Sequence, residues 1–360
     1  MHTQKQEQTA FERRIHAAWR MRACAVGLCT GVQVFLFGAG IAMPVCANAA
    51  WLAALCTLPA AALAVGGCHR ALNRWKGRYS RALYRVLLAS FLLGAVFSAA
   101  SLVGLAEQSL LSQAQSVYSV IITVLAALLC ALGGAAGVYR LSFALRWVLP
   151  VLTAVLCAVS LPLDISFGLF PLLGTGAPSL LLGGIVLLGA VQPSLLLLYM
   201  PQELSQLCDR QEAIGIPRAG FFIWRAVLGA AAGTALLLAL TLGNTYESIL
   251  RGGAWGDRLL ILSSGKPREG VAQMSLTILE VLSMALLVVH MLLGAARAAS
   301  ALWPRLERAK AGLMLCAGLV AAALYAMLFA GERIMPGIAC GMLALLPPAL
   351  ILCQWRGRTS

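Results

Sequence analysis

Apolar runs of about twenty residues, separated by short polar connections, recur along the whole chain. A helix needs roughly 20 apolar residues to cross about 30 Å of hydrocarbon, so each run is long enough to span a bilayer. We therefore predict an all-α polytopic membrane protein with ten transmembrane helices. The predicted spans, numbered 1 to 10 in chain order, are residues 23–43, 49–67, 84–106, 117–137, 146–163, 179–200, 221–243, 271–294, 311–330 and 335–353.

Composition excludes the common soluble classes. Apolar residues make up 61% of the 360 and charged residues only 11%, whereas a soluble domain has roughly 45–50% and about 25%. So little polar surface cannot cover that much hydrocarbon in water, which excludes a soluble enzyme, a disordered chain and a DNA-binding domain. The net charge of +14 comes from basic residues spread between the apolar runs, so we expect the lipid bilayer as partner and no nucleic acid.

The basic residues also predict the orientation. Of the 27 Lys and Arg residues, 22 fall on the side of the chain termini in the ten-span count. The opposite side holds five, which are Arg251, Arg258, Lys266, Arg268 and Arg333. By the positive-inside rule both termini are cytoplasmic. Residues 1–22 are then a cytoplasmic segment and not a cleavable signal. Residues 23–353 form one transmembrane domain with an extracytoplasmic loop at 244–270, and residues 354–360 form a cytoplasmic tail.

Two predicted spans contain Gly/Pro interruptions at corresponding places. Ten spans divide as five plus five, so span 1 corresponds to span 6 in an inverted repeat. Span 1 carries Gly38 and Gly40 before Pro44, and span 6 carries Gly183, Gly184 and Gly189 before Gln192 and Pro193. A break in a helix leaves backbone N–H and C=O groups unpaired, and a ligand can bind them. We therefore predict substrate-binding positions at Gly38, Ala39, Gly40, Ile41, Val191 and Gln192. The alternative is that these glycines only allow close helix packing.

Polar residues inside the spans are the second indication of a site, because they are costly to keep in lipid. Thr277, Glu280 and Ser283 lie at helical spacing in span 8, and Ser98 and Ser101 lie in span 3. We predict that all five contribute to substrate binding, and that Glu107 and Glu280 contribute to an ion, proton or water pathway. The alternatives are an interhelical hydrogen bond for Glu280, close packing for the serines and a solvated helix end for Glu107. For His290, near the inner end of span 8, we expect an ordinary polar partner rather than a proton relay.

Catalytic and metal-binding patterns are missing from the sequence. It has no P-loop, HExxH or GxSxG motif, and its eleven cysteines form no C-x-x-C pair. Most cysteines lie within apolar runs, where we interpret them as small buried residues. We predict that the protein is not an enzyme and has no cofactor or metal.

One stretch of the sequence resembles a known family. The stretch GGAAGVYRLSFALRWVLPVLTAVLCAVSLPLDISFGLFPLLGTGAPSLLLGGI (133–185) is similar to the middle of the spore germination permeases, the B subunits of germinant receptors in the amino acid–polyamine–organocation superfamily. Its features are Gly137 and Arg140 after span 4, and then Leu169, Pro171 and Gly176 before span 6. Residues 38–55, GAGIAMPVCANAAWLAAL, and 76–93, KGRYSRALYRVLLASFLL, resemble the family's first three spans.

The resemblance implies a ten-helix, 5+5 inverted repeat of the LeuT-like, amino acid permease type with broken helices 1 and 6. It implies a nutrient site between spans 1, 3, 6 and 8, an amino-acid-like ligand, and A-type and lipoprotein C-type partner subunits. The membrane would be the inner membrane of an endospore-forming bacterium. The sequence departs from the family pattern at Gln192-Pro193, where an acidic residue is common, and at Glu280. It also carries additional residues around 256–269.

Three functions are compatible with this pattern. The first is a germinant-receptor subunit that binds a nutrient and signals to its partners. The second is a proton- or sodium-coupled amino-acid transporter. The third is an assembly subunit without a ligand of its own. The first two use the same fold and cavity, so the fold does not separate them.

Overall fold

Four long helices make up most of the part of the chain that the computed structural model describes. They are α1 (Arg81–Ser109), α2 (Ser116–Leu132), α3 (Glu269–Leu302) and α4 (Ala311–Ala330). The described residues are 46, 49, 52, 53, 55, 81–109, 116–132, 137, 138, 140–145, 151, 176–185, 269–303 and 311–330. None of these residues lies in a β-strand, so the predicted all-α class is confirmed for this part of the chain.

The four helices coincide with predicted spans 3, 4, 8 and 9. α4 has the predicted bounds, whereas α3 continues eight residues past the predicted end of span 8 at residue 294. This extension consists mainly of alanine, the strongest helix former. The N–H of Trp303 still donates to the Ala299 carbonyl at 2.8 Å, and Pro304, which has no N–H to continue the pattern, follows in the sequence.

Two shorter helical segments lie where spans 5 and 6 begin. Residues 140–145 are helical although the sequence predicted a connection there, so this segment precedes the predicted start of span 5 at residue 146. Residues 177–185 are helical, and the N–H of Leu180 donates to the Gly176 carbonyl at 3.1 Å. Gly176 has φ +121°, which residues with a Cβ rarely adopt, and it turns the chain into this helix. Spans 1, 7 and 10 and residues 244–268 of the predicted loop lie outside the described residues, whereas residues 269 and 270, which the sequence assigned to that loop, are the first residues of α3.

Two described helical stretches, Arg81–Ala100 and Ala285–Leu302, are long and apolar enough to cross a membrane, and Gly312–Leu324 is a shorter apolar stretch. The outward residues of α2 and α4 support a lipid environment. Ile121, Leu125 and Leu129 follow each other at four-residue spacing along α2, and Leu129 is 68% exposed. A helix that faces water carries polar residues on that side, whereas a lipid-facing helix does not.

Each of the four helices packs against the other three, and α3 carries the longest fully buried stretch among them. Residues 286–293 are buried on every side of the helix, as expected for a helix that is apolar all round. α1 is its most extensive neighbour and buries one face, with Leu83, Leu87 and Phe91 fully enclosed. At Gly294 the ring of Phe91 on α1 lies directly against the backbone of α3. A methyl group there would lie 2.7 Å from the ring of Phe91.

We expect Gly294→Ala to lower the free energy of unfolding by about 1–3 kcal/mol, since the Phe91 ring or the helix axis must move to admit the methyl group. Gly318→Ala is the matched control, because nothing lies within 4 Å of the added carbon on α4. This control is expected to be neutral or stabilising, as alanine favours the helix. Thermal unfolding of both purified variants in detergent checks the prediction. Equal stability of the two variants would contradict the close contact.

Candidate functional site

Six predicted site residues lie on two helices that pack against each other. Ser98, Ser101 and Glu107 lie on α1, and Thr277, Glu280 and Ser283 lie on α3. The sequence placed them in spans 3 and 8. The structure shows that the helices of these two spans form the most extensive packed pair in the described bundle. The other predicted positions, Gly38, Ala39, Gly40, Ile41, Val191 and Gln192, lie outside the described residues.

The hydroxyl group of Ser98 is fully buried and has no hydrogen-bond partner among the described residues. Serine in an apolar helix usually donates its hydroxyl hydrogen to the carbonyl of the preceding turn. Ser90 does so to Val86 at 2.5 Å, on the same face of α1 and two turns before Ser98. Leaving a buried polar group unpaired costs about 1–3 kcal/mol. The Ser98 hydroxyl is therefore available to donate to, and accept from, a small polar ligand or water.

A second buried polar group joins segments that are far apart in sequence. His290 on α3 and Ser142 in the 140–145 segment are 1% and 0% exposed, and their Nε2 and Oγ atoms are 3.2 Å apart. His290 Nδ1 lies 2.6 Å from the Leu286 carbonyl, and Ser142 Oγ donates to the Val138 carbonyl at 2.9 Å. The sequence predicted a polar partner for His290, but it gave no reason to select Ser142. The only available signal was that Ser142 is a small polar residue close to an apolar run.

The glycines that the sequence placed in an interruption of span 6 are partly explained by packing. Gly183 and Gly184 lie within the continuous helical residues 177–185, so the helix is not interrupted at either glycine. A methyl group at Gly183 would lie 2.8 Å from Cys46 Sγ and 3.5 Å from the Ala53 side chain. Gly183 thus lets this helix approach Cys46 and Ala53 closely, which was the alternative interpretation. Gln192 and Pro193 lie outside the described residues.

The remaining chemistry of the described residues is sparse. Cys46 and Cys316 are buried thiols, as the sequence predicted for cysteines in or beside apolar runs. Among the described residues, no three His, Cys, Asp or Glu side chains converge to hold a metal ion. The described residues thus place a few hydrogen-bonding groups inside an apolar bundle.

Comparison with known proteins adds no assignment. No protein-family model matches the chain, and no curated protein matches it either. The resemblance to the spore germination permeases rests on the residues quoted for it above.

Gly183→Ala is expected to destabilise the protein because the new methyl group overlaps Cys46 Sγ. Combining it with Cys46→Ala removes that sulfur and should recover most of the loss, so the two substitutions are not additive. The adjacent Gly184→Ala has open space and serves as control. The measurement is the unfolding midpoint of the three single variants and the double variant. Additive losses would show that the two positions do not touch.

Ser98→Ala is expected to leave the ligand-free protein as stable as the wild type or more stable by about 1 kcal/mol. It removes an unpaired buried hydroxyl and introduces a better helix former. Ser90→Ala is the matched control, since it removes a hydroxyl of similar burial that is already bonded. We would measure both by thermal unfolding without added ligand. A clear loss of stability in Ser98→Ala alone would mean that the hydroxyl has a partner.

Proposed function

We propose that this chain is the membrane subunit of a receptor for a small nutrient, of the spore germinant-receptor type, and that it binds an amino acid between α1, α3 and predicted spans 1 and 6. The observation that carries the proposal is the buried, unpartnered hydroxyl of Ser98 on the face of α1 that is enclosed in the bundle. A binding site needs such a group, whereas a helix that serves only packing gains nothing from it.

The depth of the polar residues supports the same location. In the ten-span topology, spans 3 and 8 cross the membrane in opposite directions, and Phe91 lies level with Gly294. With a rise of about 1.5 Å per residue, Ser98 is then level with Leu287 and Ser101 with Met284. A band roughly 10 Å deep, on the extracytoplasmic side of Ser98, then contains the other predicted site residues of these two helices. They are Ser101, Glu107, Thr277, Glu280 and Ser283.

The chemistry of an amino acid fits this band. Its carboxylate would be received by backbone N–H groups freed around Gly38–Ile41, as anions are at helix N-termini. Its ammonium group would be matched by the carboxylate of Glu280. The Ser98 hydroxyl would complete the polar lining from α1. Partner subunits of the A and C type would then read the ligand-dependent shift between two states of the bundle.

A proton- or sodium-coupled amino-acid transporter is the second candidate. It is favoured by Glu280, an ionisable residue near the middle of predicted span 8, because such residues commonly mark ion and proton pathways. The receptor and the transporter share the site, so they differ only in whether bound ligand is released on the other side of the membrane.

The test is binding and uptake of radiolabelled amino acids by the purified protein in proteoliposomes, with and without a proton or sodium gradient. We expect saturable binding that Ser98→Ala weakens about 5- to 10-fold, the effect of one lost hydrogen bond. Ser90→Ala should bind like the wild type. Equal binding by Ser98→Ala, or no binding by protein with a normal unfolding transition, would overturn the site. Gradient-driven accumulation that Glu280→Gln abolishes would assign the transporter instead of the receptor.

A further inference from the structure

The helical segment that contains Ser142 has one buried side and one exposed side. Its described residues are 137, 138 and 140–145, and all of them are helical. Val138 and Ser142, which are one turn apart, are buried. Four residues at positions i, i+3, i+4 and i+7 share another side of the helix and are all exposed; they are Gly137, Arg140, Leu141 and Ala144. These four residues are called the exposed face below.

The contact between Ser142 and His290 locates this segment along the bundle. Ser142 Oγ lies 3.2 Å from His290 Nε2, so the two residues lie at a similar depth. His290 belongs to the helical stretch Ala285–Leu302, which is long and apolar enough to cross a membrane. It lies five residues from one end of that stretch and twelve from the other, or about 8 Å and 18 Å. The segment therefore meets α3 inside the hydrocarbon region.

Arg140 carries a positive charge to this depth. It precedes Ser142 by two residues, or about 3 Å along the helix, and its side chain is exposed. An ionised side chain surrounded by lipid tails is unfavourable, so within a membrane such groups face the interior of a bundle or a water-filled cavity. The exposure of Arg140 excludes the packed interior. Water at the exposed face is then the arrangement that accommodates the guanidinium group.

The acidic residues of the described helices lie far from Arg140. Glu269 and Glu280 are on α3, at least ten residues, or about 15 Å, from His290. Glu107 is on α1, sixteen residues, or about 24 Å, from Phe91, whose ring lies against Gly294 of α3. Among the described residues, the charge of Arg140 thus has no carboxylate close enough to neutralise it.

The neighbours of Arg140 on the exposed face leave room for a ligand. A methyl group at Gly137 would meet nothing within 4 Å, and Ala144 adds only a methyl group of its own. A positive charge in a water-filled cleft with apolar walls raises the local concentration of anions. The planar guanidinium group matches the paired oxygens of a carboxylate or a phosphate.

We propose that the exposed face lines a water-filled vestibule, and that Arg140 binds a small oxyanion there, such as phosphate or a carboxylate. The proposal goes beyond the nutrient site and does not rest on it, because it uses neither Ser98 nor Glu280. In the predicted topology Arg140 belongs to the cytoplasmic side, so the vestibule opens toward the cytoplasm.

The test is thiol labelling of the full chain in inside-out membrane vesicles, whose cytoplasmic face is outward. Leu141→Cys places a thiol beside Arg140, and its labelling is measured above that of the unsubstituted chain, which has eleven cysteines. The probes are an anionic and a cationic methanethiosulfonate, both too polar to cross lipid. We expect both to react, the anionic one faster. Adding Arg140→Gln should lower the anionic-to-cationic rate ratio about tenfold, since one nearby charge acts on the two probes in opposite directions.

Inorganic phosphate is the ligand probe in the same vesicles, at constant ionic strength. We expect phosphate to slow the anionic reagent at Leu141→Cys, because it occupies Arg140. It should have no effect after Arg140→Gln. Free phosphate competes only if it reaches Arg140 from water, so this arm separates a free oxyanion from the phosphate of a lipid headgroup.

Two further variants control the measurement. Leu129→Cys on α2 is exposed on an apolar face and should react with neither probe. Arg140→Lys keeps the charge and should keep the rate ratio, and it remains informative if Arg140→Gln does not fold. The proposal is overturned if Leu141→Cys reacts with neither probe, since lipid or protein then covers the exposed face. It is also overturned if folded Arg140→Gln keeps the wild-type ratio, or if phosphate has no effect on the wild-type charge.

Discussion

The contact between Phe91 and Gly294 determines how closely α1 and α3 approach, and both polar features of the bundle depend on that pair. Because Gly294 has no side chain, the aromatic ring of Phe91 lies against the backbone of α3. In lipid, association of helices relies on such close packing, since hydrocarbon provides no hydrophobic force between them. Ser98 on α1 and His290 on α3 are both buried in the bundle.

Polar groups inside the pair are treated in three different ways. The hydroxyl of Ser90 is satisfied within its own helix, because it donates a hydrogen bond to the Val86 carbonyl of the preceding turn. His290 and Ser142 are satisfied by each other and by two carbonyl groups, which ties distant parts of the chain together. Within the part of the chain that the structure describes, Ser98 has no hydrogen-bond partner. Ser90 and Ser98 therefore differ although they lie on one helix, and our proposal of a binding site starts from that difference.

The described surface agrees with a bilayer environment. Exposed positions of α4 include Met314, Leu315 and Leu319, and those of α2 include Leu125 and Leu129. The inner and outer faces of these helices are similarly apolar, which is unfavourable in water and favourable in hydrocarbon. Amphipathicity therefore does not determine which face of such a helix turns inward. Small residues at close helix contacts, such as Gly183 and Gly294, determine it instead.

The sequence by itself predicted, from apolar runs of bilayer length, that the described part of the chain is helical and where α1, α2, α3 and α4 lie, because the length needed to cross hydrocarbon is a local property. The sequence also selected Ser98, and the polar residues Thr277, Glu280 and Ser283 that lie at helical spacing on α3. It did not reveal that the helix continues through Gly183 and Gly184, since glycine serves both close packing and helix breaks. Only the tertiary structure decided that Ser142 contacts His290 and that Ser98 has no hydrogen-bond partner in the described bundle. Those facts depend on which side chains from distant segments come within about 3 Å, and helical periodicity carries no information about that distance.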